Sequence, residues 1–103
     1  MVVLHSDNTV GMYNLLGEAP ASWLGITSED KIMTLPELVR LQDKDCWAVR
    51  TARQTLIFGF DGGEPLYVGK GGRTIRRDSE IVVSGSSSLK VTCNDGKIRN
   101  IKL

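Results

Sequence analysis

Histidine occurs once, at His5, and cysteine twice, at Cys46 and Cys93, which form no Cys-x-x-Cys pair. That scarcity removes the Cys/His ligand set of a zinc site, and it removes most Ser-His and Cys-His nucleophile arrangements. Two reduced, buried thiols are the simpler expectation for the cysteines, a disulfide the other. Aromatic residues make up only 6% of the chain, so Tyr13, Trp23, Trp47, Phe58, Phe60 and Tyr67 each matter for packing. No apolar run approaches the roughly 20 residues that carry a helix across a bilayer. The opening Met1-Val2-Val3-Leu4-His5-Ser6 has neither the basic start nor the long apolar stretch of a secretory signal. A cytoplasmic protein with no membrane partner is the expectation, and nothing in the sequence calls for a cofactor.

What is present is an ordinary globular composition in 103 residues, 41% hydrophobic and 24% charged, enough for one domain with a single core. The net charge of +1 hides a division along the chain. From Lys70 onward eight basic residues face three acids, whereas before it five basic residues face nine acids. A basic half suits an anionic partner, nucleic acid or an acidic protein surface, or docking onto an acidic neighbour. Lysine and arginine on solvated strands that protect a sheet edge are the simpler alternative.

Local patterning predicts an α+β domain spanning 1–103, with short helices in about 1–45 and an antiparallel meander over about 46–103 that can curl into a small barrel. Residues 10–16 carry apolar positions at helical spacing, closed by Gly17. Thr34-Leu35-Pro36-Glu37 reads as a capping box, with Leu35, Leu38, Val39 and Leu41 as the buried stripe of a helix. After Cys46 the period changes to two, with Trp47, Val49 and Thr51 alternating with Ala48, Arg50 and Ala52. Strands are expected over 56–60, 66–69, 80–84, 89–93 and 98–103, with Asp61-Gly62-Gly63-Glu64 as a hairpin turn. For the last hairpin, turn chemistry at Gly96 pairs Leu89 with Ile101, while the apolar pattern pairs Leu89 with Leu103. Both registers stay open at this point.

The segment 56–78, LIFGFDGGEPLYVGKGGRTIRRD, carries the candidate chemistry. Its glycine-rich turn Gly69-Lys70-Gly71-Gly72-Arg73 could cradle an anion on successive amides, flanked by Lys70, Arg73, Arg76 and Arg77. The spacing of a P-loop is absent. Tyr67 beside these cations supplies the minimal pairing of an aromatic ring with basic residues that nucleic-acid binding needs. Alternatively the glycines serve only a tight turn, the cations are solvated and Tyr67 belongs to the core. The expected anion or nucleic-acid site is therefore Tyr67, Lys70, Arg73, Arg76 and Arg77, with no catalytic or metal residue, extended by basic positions of the last hairpin.

Leu66-Tyr67-Val68-Gly69-Lys70, with Leu56-Ile57-Phe58-Gly59-Phe60 before it and the arginines after it, resembles the paired-strand core of GIY-YIG nucleases. The resemblance covers about a quarter of the chain. It implies that Tyr67 matches the tyrosine of the second motif and that Arg76 or Arg77 matches the arginine that engages the scissile phosphate. The first-strand tyrosine is replaced by Ile57 or Phe58, and the chain after Arg77 offers no helix for the family's metal-binding glutamate. Residues 87–97 also look like the strand-turn before the Thr-x-x-His block of Hint modules, and 32–39 is similar to their early Glu-Leu segment; no histidine follows His5 to complete that block. The leading expectation is a non-enzymatic binding module for an anionic partner. The alternatives are a reduced GIY-YIG-like nuclease, or a structural subunit that oligomerises through the exposed edge of its last strand.

Overall fold

The computed structural model describes residues 1–103 and is built almost entirely of β-strands. Strands β1 (Val2–Leu4), β2 (Thr9–Met12) and β3 (Ile26–Thr27) form a first antiparallel sheet. A four-stranded sheet follows, in the order β4 (Glu37–Arg40), β5 (Asp45–Arg50), β6 (Thr55–Gly59) and β7 (Pro65–Tyr67). A third sheet holds β8 (Val82–Val83), β9 (Ser88–Thr92) and β10 (Ile98–Lys102), with β9 in the middle. The only helical element is one 3-10 turn at Gly71–Arg73. No helix is long and apolar enough to cross a membrane.

The two central strands explain the layering. Side chains alternate across a strand, so β5 presents Cys46 and Ala48 to one face and Trp47 and Val49 to the other. Ile57 of β6 joins the first set, and Leu56 and Phe58 join the second. One face packs against Leu89, Val91 and Ile101 of the third sheet, together with Ile75 and Cys93. The opposite face packs against Val10 and Ile26 of the first sheet, together with Ile32. The middle sheet is thus covered on both sides, which is why β5 and β6 read as continuous apolar runs. Both thiols are free and buried in the same core, and burial pushes the Cys46 thiol up.

The expected helical first half is corrected: residues 1–45 contain strands and turns. Residues 10–16 split between β2 and a rigid turn in which the Asn14 side chain accepts from the amides of Leu16 and Glu18. Leu15 and Leu16 are left 97% and 82% exposed, so they are not core. The capping-box segment becomes the edge strand β4, with Glu37 opposite Ala48 and Val39 opposite Cys46. Val39 is partly buried and Leu41, just past the strand, is buried, while Leu35 and Leu38 are 57% and 38% exposed. A helix of two turns is marginal by itself, and the open edge of β5 offers a full ladder of backbone partners instead. Glu37 turns its carboxylate to Arg50, 3.4 Å away, rather than to the Thr34 amide.

The barrel is corrected as well. The meander breaks after β7, and residues 68–81 cross to the third sheet with one isolated bridge, Ile75 to Cys93. The last hairpin takes the register of its turn: Leu89 faces Ile101 and Val91 faces Arg99, with Gly96 at φ 82°. Glycine adopts that backbone angle without a side-chain clash, so the turn overrides the apolar pattern.

Candidate functional site

The glycine-rich segment is folded onto the last hairpin. Arg73 and Thr74 amides donate to the Lys70 and Gly71 carbonyls, which closes the 3-10 turn. The turn is then tied across: the Asp95 amide donates to the Gly72 carbonyl and the Asn94 amide to the Thr74 carbonyl. Gly69 permits this closure, because a Cβ there would stand 2.2 Å from the Arg73 carbonyl oxygen.

Tyr67 is half-buried against the core of the third sheet, and its hydroxyl donates to the Arg73 carbonyl at 2.7 Å. Burial pushes its phenol up from the ordinary tyrosine range. The ring therefore holds the loop that displays Lys70 and Arg73, and its plane is not laid open as a stacking platform. The space beside Gly72 is taken by Asp95, whose Cβ would lie 3.0 Å from a Cβ at that position. Asp95 accepts from the Lys97 amide and pairs with Arg99, and those two hydrogen bonds hold its carboxyl below the usual range. The hollow expected among the glycines is thus lined by a carboxylate already paired with a guanidinium.

The five expected residues differ in what they touch. Lys70 and Arg73 are exposed on the turn beside the last hairpin. Ile75, wholly buried, separates them from Arg76 and Arg77. Arg76 pairs with Asp78 at 3.2 Å. Arg77 leans toward the Ala52 carbonyl at 3.5 Å and borders a separate hollow with Met33, Thr34, Arg50 and Thr51.

Other cations lie along the last hairpin. The register of β9 and β10 sends Leu89, Val91 and Ile101 inward and leaves Lys90, Asn100 and Lys102 on the outer face. Lys97 is exposed at the turn. The chain forms four ion pairs, and none of them includes Lys70, Arg73, Lys90, Lys97 or Lys102. Of the three acids after Lys70, Asp78 and Asp95 are committed to arginines, which leaves Glu80. The sequence signal for the outward lysines was their alternation with Leu89, Val91 and Ile101. The role of Asp95 was less visible, its one clue being the spacing to Arg99 across the hairpin.

The charge division of the chain becomes a division between layers. Residues 1–33 hold Asp7, Glu18, Glu29 and Asp30 against Lys31 alone. A hollow of about 430 Å³ lies in that acidic layer and not among the cations. His5 and Asn8 line it, but both are used by the fold: His5 Nε2 meets the Tyr13 hydroxyl at 2.9 Å, and Asn8 bonds to residues 28–32. No family model, curated protein or solved structure matches the chain.

Proposed function

We propose that this chain is a non-enzymatic binding module whose third layer engages an anionic partner, nucleic acid or an acidic protein surface. One observation carries the reading: Lys70, Arg73, Lys90, Lys97 and Lys102 are exposed without carboxylate partners on the layer where Glu80 is the sole uncommitted acid. Unpaired cations on one side of a small domain raise the local concentration of anions and speed their encounter. Tyr67 acts as a positioning residue, fixing the Gly71–Arg73 turn through its hydroxyl. Arg76 and Arg77, separated by Ile75 and partly occupied, contribute less.

The test is a titration with a single-stranded oligonucleotide and with polyglutamate over a range of salt. Replacing Lys70 and Arg73 by alanine should weaken binding several-fold and flatten the salt slope, by about 0.7 for each phosphate of the single strand that is no longer neutralised. Replacing Arg76 and Arg77 should cost less. Equal affinity and equal slope for the Lys70/Arg73 variant would remove the reading. Metal-dependent cleavage of the oligonucleotide, lost on Tyr67→Phe and Arg77→Ala, would place the chain among nucleases instead.

A further inference from the structure

The outer edge of β10 is the longest unpartnered strand edge in the molecule. It runs for five residues, against four for β4, three for β1 and β7, and two for β3 and β8. The direction of its open groups follows from the ladder. Cys93 donates to Lys97 and Leu103 donates to Ser87, so alternate residues of the strand spend their backbone groups on β9. The residues between them, Ile98, Asn100 and Lys102, turn their N–H and C=O groups away from the sheet. No other backbone segment pairs with them.

Natural sheets usually blunt such an edge with lysine or another charge, proline, a bulge, extreme shortness or a covering segment. β7 shows this, with Pro65 on the strand and a register shift beside it. Of these β10 has only the charge, at Lys102. It has no proline and keeps an unbroken register with β9. Its face carries Ile98, 67% exposed, at a shallow hollow of about 140 Å³ shared with Glu80, Val82, Lys90 and Thr92. On that face the side chains of an added strand would meet Ile98 and Lys102 directly, with the ammonium group of Lys90 one strand further in.

We infer that β10 accepts an acidic, extended segment of another protein as an eleventh strand, with main-chain hydrogen bonds to Ile98, Asn100 and Lys102. This rests on the anionic-partner reading and narrows it to a protein strand. Charge selects the occupant. Pairing with a second copy about Asn100 would bring two cationic layers together and set Lys102 beside the copy's Ile98. A strand alternating glutamate with an aliphatic residue can set all its glutamates on the face of Lys102 and Lys90 and all its aliphatic side chains on the opposite face, beside Ile101.

The probe is a synthetic peptide alternating glutamate and valine, titrated into the intact chain. Asn100→Pro is the informative variant, because the Asn100 N–H faces away from β9 and its loss breaks no internal hydrogen bond. Binding should fall about tenfold or more in this variant, and equally when the peptide is N-methylated on the alternate set of residues facing the sheet. The N-methylated peptide leaves the chain untouched, so the result does not depend on how well Asn100→Pro folds. Bound peptide should also slow amide exchange at Ile98, Asn100 and Lys102.

Binding that ignores both the proline and the methyl groups, yet weakens when Lys90, Lys97 and Lys102 become alanine, would overturn the added strand and keep the basic layer as an anion surface. Binding of an oligonucleotide but not the peptide would have the same consequence. Self-association abolished by Asn100→Pro would replace the acidic partner with a second copy. Indifference to every anionic probe would sink both readings.

Discussion

Asn8 shows how much of this fold hangs on single polar side chains. It sits in the β1–β2 turn at φ 68°, where asparagine is better tolerated than most residues. Its amide nitrogen donates to the carbonyls of Ser28 and Asp30, and its oxygen accepts from the Ile32 amide at 2.7 Å. Three bonds tie the first hairpin to the segment that leads into β4. Asn8→Ala should therefore cost about 2–3 kcal/mol, read as a lower urea midpoint at unchanged slope. Asn8→Asp keeps the acceptor but aims a carboxylate at two carbonyls, and should be at least as harmful.

Asp95 gives the residue scale a pH dependence. Its folded pKa is lowered, first by the Lys97 amide and then by Arg99, so the protonated form is favoured more in the unfolded chain than in the folded one. The stability it contributes is full above the ordinary aspartate range, about pH 3.9 in unfolded chains, and is lost as pH falls through its lower folded value. Asp95→Asn should make acid unfolding less steep in that window while leaving the neutral-pH profile nearly parallel. Measured unfolding midpoints between mildly acidic and strongly acidic buffer check this. Coincident curves for the two proteins would contradict the Lys97–Asp95–Arg99 arrangement.

Among the elements, β4 separates two readings of the same residues. A helix over the capping-box segment would bury Leu35 and Leu38 together with Val39 and Leu41, whereas the strand leaves Leu35 and Leu38 exposed. Leu41→Ala should cost about 2–5 kcal/mol by the cavity it opens. Leu35→Ala, on an exposed side chain, should stay within about 0.5 kcal/mol. Chemical denaturation of the two variants decides it, and a loss at Leu35→Ala comparable to that at Leu41→Ala would restore the helix. Gly69 makes the matching case for the loop: alanine there drives a Cβ into the Arg73 carbonyl and should free the turn from Asp95.

The strands after Cys46 were legible because each alternates or runs apolar between glycine-rich turns, and both signals are local. β2 and β4 were not, since their identity comes from partners elsewhere in the chain. Thr34 and Glu37 are compatible with a helix cap, and nothing nearby in sequence announces the ladder to β5. In the candidate site, the tight glycine turn and its cations could be read directly. That Asp95 fills the space beside Gly72, and that Ile75 is buried against Cys93, depends on how residues 68–81 cross between sheets. The last hairpin is the instructive exception. There the local backbone demand of Gly96 outweighed the apolar pattern, and Leu103 lost its expected partner.

At the scale of the whole molecule, three stacked sheets convert a division of charge along the chain into opposite outer layers. The first is acidic, the third basic, and β5 and β6 carry the two cores between them. Because both cores share those strands, Phe58→Ala on one face and Ile57→Ala on the other should each lower the entire thermal transition. Phe58→Ala should cost about 3–5 kcal/mol and Ile57→Ala about 2–5 kcal/mol, with one cooperative step retained in each. Two separated steps by calorimetry would mean that the layers fold independently.

The most direct measurement is an amide-exchange footprint of the chain saturated with polyglutamate at low salt. Protection should rise over residues 70–73 and 88–102, stay unchanged over 1–33, and vanish as salt screens the lysines. Protection spread over the acidic first sheet, or none anywhere, would contradict a cationic third layer as the docking surface.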